Sequence, residues 1–112
     1  MSSRERRRAP SRADIEAMID EATVDAYDDG EVAAGWEAVL QDHLGLPFTA
    51  RVLGVEVTVE TLELHERCVV AICARGRNRQ AIPLLDLPLP KPPPVGWEWI
   101  AAYRTFSRGT RS

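Results

Sequence analysis

Hydrophobic positions change their period along this chain, and each change marks an element. Ile15, Met18, Ile19, Ala22 and Ala26 recur at i, i+3, i+4, i+7 and i+11, which is one face of an amphipathic helix. Ser11 and Asp14 supply a capping hydroxyl and a first-turn acid at its start. The spacing predicts a helix over 14–27. Asp28-Asp29-Gly30 then breaks the pattern with turn-forming residues. Val32, Trp36, Val39, Leu40 and Leu44 form a second stripe. Gly45 stands where a left-handed cap belongs and Pro47 prevents continuation, so a second helix is expected over 31–44.

From Phe48 the period falls from 3.6 to 2. Val55, Val57 and Val59 alternate with Glu56 and Thr58, the pattern of a half-buried strand. Strands are expected near 50–59, 67–75 and 79–85, with the last two joined by a hairpin at Arg75-Gly76-Arg77-Asn78-Arg79. Leu87 to Val95 contains five prolines, which favour an extended connector over a helix or central strand. Trp99, Ile100, Tyr103 and Phe106 mark one face of a short C-terminal helix. The fold class that follows is α+β: an N-terminal helical hairpin packed on a small three-stranded antiparallel sheet, closed by a short C-terminal helix. Residues 13–112 read as a single domain, preceded by a disordered basic tail over 1–12 that holds five arginines and no apolar periodicity.

Charge sharpens this picture. Between Ala13 and Ala50 there is no lysine or arginine, while ten acids occur: Asp14, Glu16, Asp20, Glu21, Asp25, Asp28, Asp29, Glu31, Glu37 and Asp42. The net charge of −3 therefore hides a block of −10 against +7 in the remainder. Glu16/Asp20 and Glu21/Asp25 fall at helical i, i+4 spacing, where like charges repel. Ten carboxylates without cations of their own need water, the basic remainder of the chain or a bound cation.

Several chemistries have little support. No apolar run approaches the roughly 20 residues of a membrane span, and no apolar stretch follows the basic N-terminus as in a secretory signal. A cytoplasmic protein with reduced thiols is expected, without a membrane or nucleic-acid partner. Cys68 and Cys73 are separated by an odd number of residues, so on a regular strand they face opposite sides. The same argument separates His65 from Cys68, which disfavours zinc. Neither histidine stands in a nucleophile or acid–base constellation, so catalysis is not expected. Arg75, Arg77, Arg79, Arg104, Arg108 and Arg111 lack the interleaved aromatics of a nucleic-acid surface. Their simplest use is to sit opposite the acidic helices.

The acidic turn holds the most informative chemistry. Asp25-Ala26-Tyr27-Asp28-Asp29-Gly30 places acids at positions 1 and 5 and glycine at 6 of an EF-hand loop. Tyr27 at position 3 and Trp36 at position 12 break the motif, because the twelfth residue should be a bidentate glutamate. What remains is a cluster of hard oxygen donors around a turn, a donor set suited to Ca2+.

The stretch EATVDAYDDGEVAAGWEAVLQDHLGLPFTARVLG resembles the cyanobacterial-type calcium-binding protein family (CcbP-like). Family members show Val-Asp-Ala-Tyr followed by acids, then Gly-Trp or Gly-Phe, a leucine, an acidic pair and Leu-x-Phe or Leu-Pro-Phe, and this chain follows the order apart from the pair. RGRNRQAIPLLDLPLPKPPPVGWEWIAAYR is also similar to members outside the cyanobacteria. The resemblance covers roughly Ile19 to Arg108. It implies a small bacterial protein that binds Ca2+ without an EF-hand, with Asp25, Asp28, Asp29 and Glu31 on the family's acidic stretch and Asp42 on the second member of the acidic pair. Gln41 replaces the first member, keeping a carbonyl oxygen but no charge. The function expected is that of a non-enzymatic calcium buffer or low-affinity sensor. The rival is a protein-protein interaction module whose acidic helical face binds a basic partner.

Overall fold

The structure is a computed structural model that describes residues 9–109. Residues 1–8 of the expected tail lie outside the described residues, while Ser11 caps the first helix and Arg12 begins it. Helix α1 spans Arg12–Thr23. Ser11 caps it reciprocally: its hydroxyl accepts the Asp14 N–H at 3.1 Å, and the Asp14 carboxylate accepts the Ser11 N–H at 3.0 Å. That capping box satisfies donors the first helical turn cannot. The helix stops four residues short of the sequence expectation. Val24 leaves in an extended conformation and Asp25 turns left-handed at φ 63°, so Ala26 matches the periodicity without belonging to the helix.

Helix α2 spans Asp29–His43 and is capped by Asp28. Asp29 and Gly30 are thus its first turn rather than a break before it. Gly45 does not take the expected left-handed conformation. The Leu44 N–H bonds the Leu40 carbonyl, and the Gly45 N–H reaches the Val95 carbonyl at 2.8 Å. His43 stacks on Trp99 with ring centres 4.4 Å apart. A Cβ at Gly96, whose φ is +84°, would collide with the His43 carbonyl. These contacts tie the end of α2 to the start of helix α3, Trp97–Gly109.

The sheet has four strands, not three. They are β1 (Phe48–Val52), β2 (Val55–His65), β3 (Cys68–Arg75) and β4 (Asn78–Pro83), all antiparallel and in sequential order. The segment expected as one strand over 50–59 is folded on itself at Leu53-Gly54. Both residues have positive φ, 51° and 77°, the geometry of a tight two-residue hairpin turn that matches strand twist. Two further two-residue turns, Glu66-Arg67 and Gly76-Arg77, complete the meander. A bulge near Glu60 shifts the β2–β3 register between Val59 and Thr61. It lets Val59 and then Leu62 both face the core despite their odd separation.

One face of the sheet carries the core. Val59, Leu62, Val69, Ala71 and Cys73 are buried there, against Trp36 and Leu40 of α2 and Ile100 and Tyr103 of α3. Ile19 packs at the edge of the same cluster. Trp36 sits at its centre, 5.3 Å from the Tyr103 ring and 5.5 Å from Phe106, both tilted, a favourable aromatic arrangement. Its indole N–H is buried and finds no acceptor among the described residues. Cys73 is buried while Cys68 is exposed on the other face, as their odd spacing on a regular strand requires. Beyond Val59, β2 has outrun β1. There the Gln41 side chain accepts the Leu62 N–H at 3.3 Å and donates to Thr61 Oγ1 at 3.1 Å.

Candidate metal centre

The turn between α1 and α2 carries four of the five expected ligands along the chain without converging three of them on one point among the described residues, and each has a distinct local role. Asp28 Oδ1 accepts the Glu31 N–H at 2.8 Å as the α2 cap. Glu31 Oε1 reaches back to the Tyr27 N–H at 2.7 Å. These two carboxylates are therefore fixed by backbone donors, each through one oxygen. Helix starts favour this placement, because the unpaired N–H groups and the positive end of the helix dipole attract carboxylates. Asp29 Oδ2 lies 3.4 Å from Arg67 Nη1 in the β2–β3 turn, with both side chains largely in solvent. Asp25 is exposed at its left-handed position.

Asp42 stands apart. Thirteen residues of helix separate it from Asp29, about 20 Å at 1.5 Å per residue, so one ion cannot engage both. Its neighbour Gln41 is occupied by β2, so the carbonyl oxygen left open to an ion by the sequence is already a hydrogen-bond acceptor. Nor is the second like-charge pair a helical one. Glu21 lies 4.0 Å from His43, and Asp25 is off the helix.

The donor chemistry of the turn fits a hard cation: oxygen ligands only, carboxylates predominating. The geometry is looser than a formed shell. Among the described residues no group of three or more His, Cys, Asp or Glu side chains is positioned to hold a metal ion. Asp28 and Glu31 each retain a second carboxylate oxygen, and Asp25 is unconstrained by a described contact.

Of the arginines expected opposite the acidic helices, Arg75 and Arg79 turn instead to the sheet, and Arg111 lies outside the described residues. Arg79 chelates Glu60 at 2.8 and 3.3 Å on the sheet, and Arg75 donates to the Glu56 carbonyl at 3.3 Å. Arg67, which sequence reasoning did not single out, is the side chain that reaches the acidic turn. It also lines an open cavity of about 330 Å3 that runs from Asp29 to Trp36, Tyr103 and Phe106. No local signal in the sequence pairs residues 38 positions apart.

A helical pair and a terminal helix on a four-stranded meander, with an oxygen-rich turn at one end, describe a small α+β protein suited to hard cations. The CcbP calcium-binding family model matches residues 16–103, most of the chain, and the chain belongs to that family. The fold is similar to the crystal structure of Anabaena CcbP, with a TM-score of 0.65 and 23% identity over 85% of this chain and 89% of that one. A search of curated proteins found no match. Among the described residues, no helix is long and apolar enough to cross a membrane.

Proposed function

We propose that this chain binds Ca2+ at the α1–α2 turn, with Asp25, Asp28, Asp29 and Glu31 as its carboxylate ligands. The observation that carries the reading is the turn itself: four carboxylates between residues 25 and 31, in a chain of the calcium-binding family. Backbone donors hold Asp28 and Glu31 near each other before any ion arrives, and each keeps an oxygen to offer. Calcium suits such a turn because it accepts irregular shells of 6–8 oxygens, completed by carbonyls and water. Two features argue for low affinity. The positive end of the α2 dipole opposes a cation, and Arg67 already partners Asp29. We read the role as binding rather than catalysis, in keeping with the calcium-binding family to which the chain belongs.

A calorimetric titration with Ca2+ against a Mg2+ control tests this, alongside thermal melts. Binding stabilises the folded chain by about 2.7 kcal/mol at a hundredfold excess over the dissociation constant. The double variant Asp28→Asn, Asp29→Asn removes most of that gain. Asparagine caps helices as well as aspartate, so the α2 cap survives. In the calcium-free state, relief of carboxylate repulsion offsets the lost dipole and Arg67 interactions, each below about 1 kcal/mol. A wild type that responds equally to both ions, or a double variant that keeps the full calcium shift, overturns the assignment.

A further inference from the structure

The molecule displays exposed apolar side chains beside an excess of carboxylates at one place and beside an excess of arginines at another, although Asp29 is paired with Arg67 and Arg79 with Glu60. The first is the α1–α2 turn, where Val24 and Tyr27 are 65% and 86% exposed among Asp25, Asp28 and Asp29. The second is the far end of the sheet. There an open cleft of about 250 Å3 lies between the β1–β2 and β3–β4 hairpins, with Val52, Val57 and Ile82 among its apolar lining and Arg75 and Arg79 beside them. Arg77 is exposed at the adjacent hairpin tip. Leu53 projects from the neighbouring turn, 96% exposed.

Leu53 is the anomaly. Its φ of 51° places it in the left-handed region, where Asn, Asp and Gly are the ordinary occupants and a leucine is disfavoured. Its side chain gains nothing from the fold in return. A strained, exposed leucine beside an apolar cleft is a surface suited to contact.

The two places cannot meet within one chain. Asp29 touches Arg67, just past the His65 end of β2, whereas Leu53 precedes its Val55 end. Ten strand steps separate those ends, about 33 Å. Between two chains they are complementary in sign and in apolar character. At the contact Asp25, Asp28 and Asp29 of one copy would face Arg75 and Arg77 of the other, so a copy approaching head to tail meets attraction there.

We infer that the acidic α1–α2 turn of one copy docks, through Val24 and Tyr27, into the arginine-flanked hairpin cleft of a second copy beside Leu53. The contact uses different patches on the two partners. Each associated pair therefore retains one free turn and one free cleft, and assembly continues beyond the dimer unless a ring closes. This goes beyond calcium binding and does not depend on it.

The test is sedimentation velocity in EDTA at low ionic strength over a range of protein concentrations. The wild type forms species larger than a dimer as concentration rises, and added salt returns it to monomer by screening. Leu53→Asp and Tyr27→Asp alter exposed turn positions, and circular dichroism melts verify that each variant folds. Each variant alone is monomeric. Mixed in equal amounts they form a dimer and nothing larger, because the Leu53→Asp copy supplies an intact turn and the Tyr27→Asp copy an intact cleft. A wild type that stays monomeric at low salt overturns the proposal. So does a single variant that still associates, or a mixture that stays monomeric. The EDTA condition separates this result from the calcium titration, so either reading can fail without the other.

Discussion

Arg67 and Asp29, 38 residues apart in sequence, meet with Nη1 3.4 Å from Oδ2 and join the β2–β3 turn to the start of α2. If Asp29 ligates calcium as proposed, the guanidinium and the ion compete for one carboxylate. Replacing Arg67 with glutamine removes the competitor and tightens Ca2+ binding by at most about fivefold, since exposed pairs contribute only 0.2–1 kcal/mol. Calorimetric titration reads the change. Arg79→Gln, which removes a guanidinium paired with Glu60 instead, serves as the control and changes the calcium affinity less.

Helices α1 and α2 cross at Gly35. A Cβ there would run into the Ala22 carbonyl oxygen, which is backbone and cannot rotate away. Gly35→Ala forces the helices apart and destabilises the fold by about 1–3 kcal/mol, the usual range for overpacking. Gly109→Ala, where nothing lies within 4 Å of the added carbon, leaves stability nearly unchanged. Urea denaturation of the two variants measures the contrast.

Leu53→Asn replaces a residue disfavoured at φ 51° with one that tolerates it. Stability rises by roughly 1 kcal/mol, the lower end of the penalty for a left-handed residue. Dilute-solution melts read the gain, and the same substitution weakens association of copies through the cleft.

Alkaline pH acts on groups that the fold keeps protonated. Burial raises the Cys73 thiol above its ordinary 9.0. Burial also raises the Tyr103 phenol, opposed in part by the Val69 N–H that its oxygen accepts at 3.3 Å. The folded chain therefore binds these protons more tightly than the unfolded chain. Their stabilising contribution is complete below the unfolded values and is lost as pH rises through the folded ones. Denaturation midpoints fall as pH passes about 9 and keep falling beyond the ordinary phenol value. Exposed Cys68 is alkylated well before Cys73, although burial and the charge of Asp86 also raise its thiol.

The helices and the core were legible because their spacing carries the information. Trp36 and Leu40 fall on one stripe, and that stripe is buried. The β1–β2 turn was hidden because Leu53 looks like strand sequence. Gly54 was its only local sign, and a single glycine is compatible with a bulge as well as a turn. Ala26 misled for the opposite reason: its period fits α1, but Asp25 has already turned the chain. At the candidate site, composition identified the carboxylates of the turn. It could not separate a capping role from a ligating one, since Asp28 and Glu31 are suited to both. Arg67 and Gln41 act across the fold, so their roles follow from the docking of α2 against the β2–β3 hairpin rather than from any local pattern.

Gln41 has a consequence of its own. Past Val59 the outward backbone of β2 is an open edge, the kind of surface on which a strand from another molecule can template. The Gln41 amide takes part of the position such a strand would claim, its Oε1 accepting the Leu62 N–H while its Nε2 donates to the Thr61 side-chain hydroxyl. A glutamate at this position, as in the acidic pair of the family pattern, would still accept the Leu62 N–H but would have no N–H for Thr61. One side chain on α2 thus occupies the outward N–H through which a strand from another molecule would begin to pair.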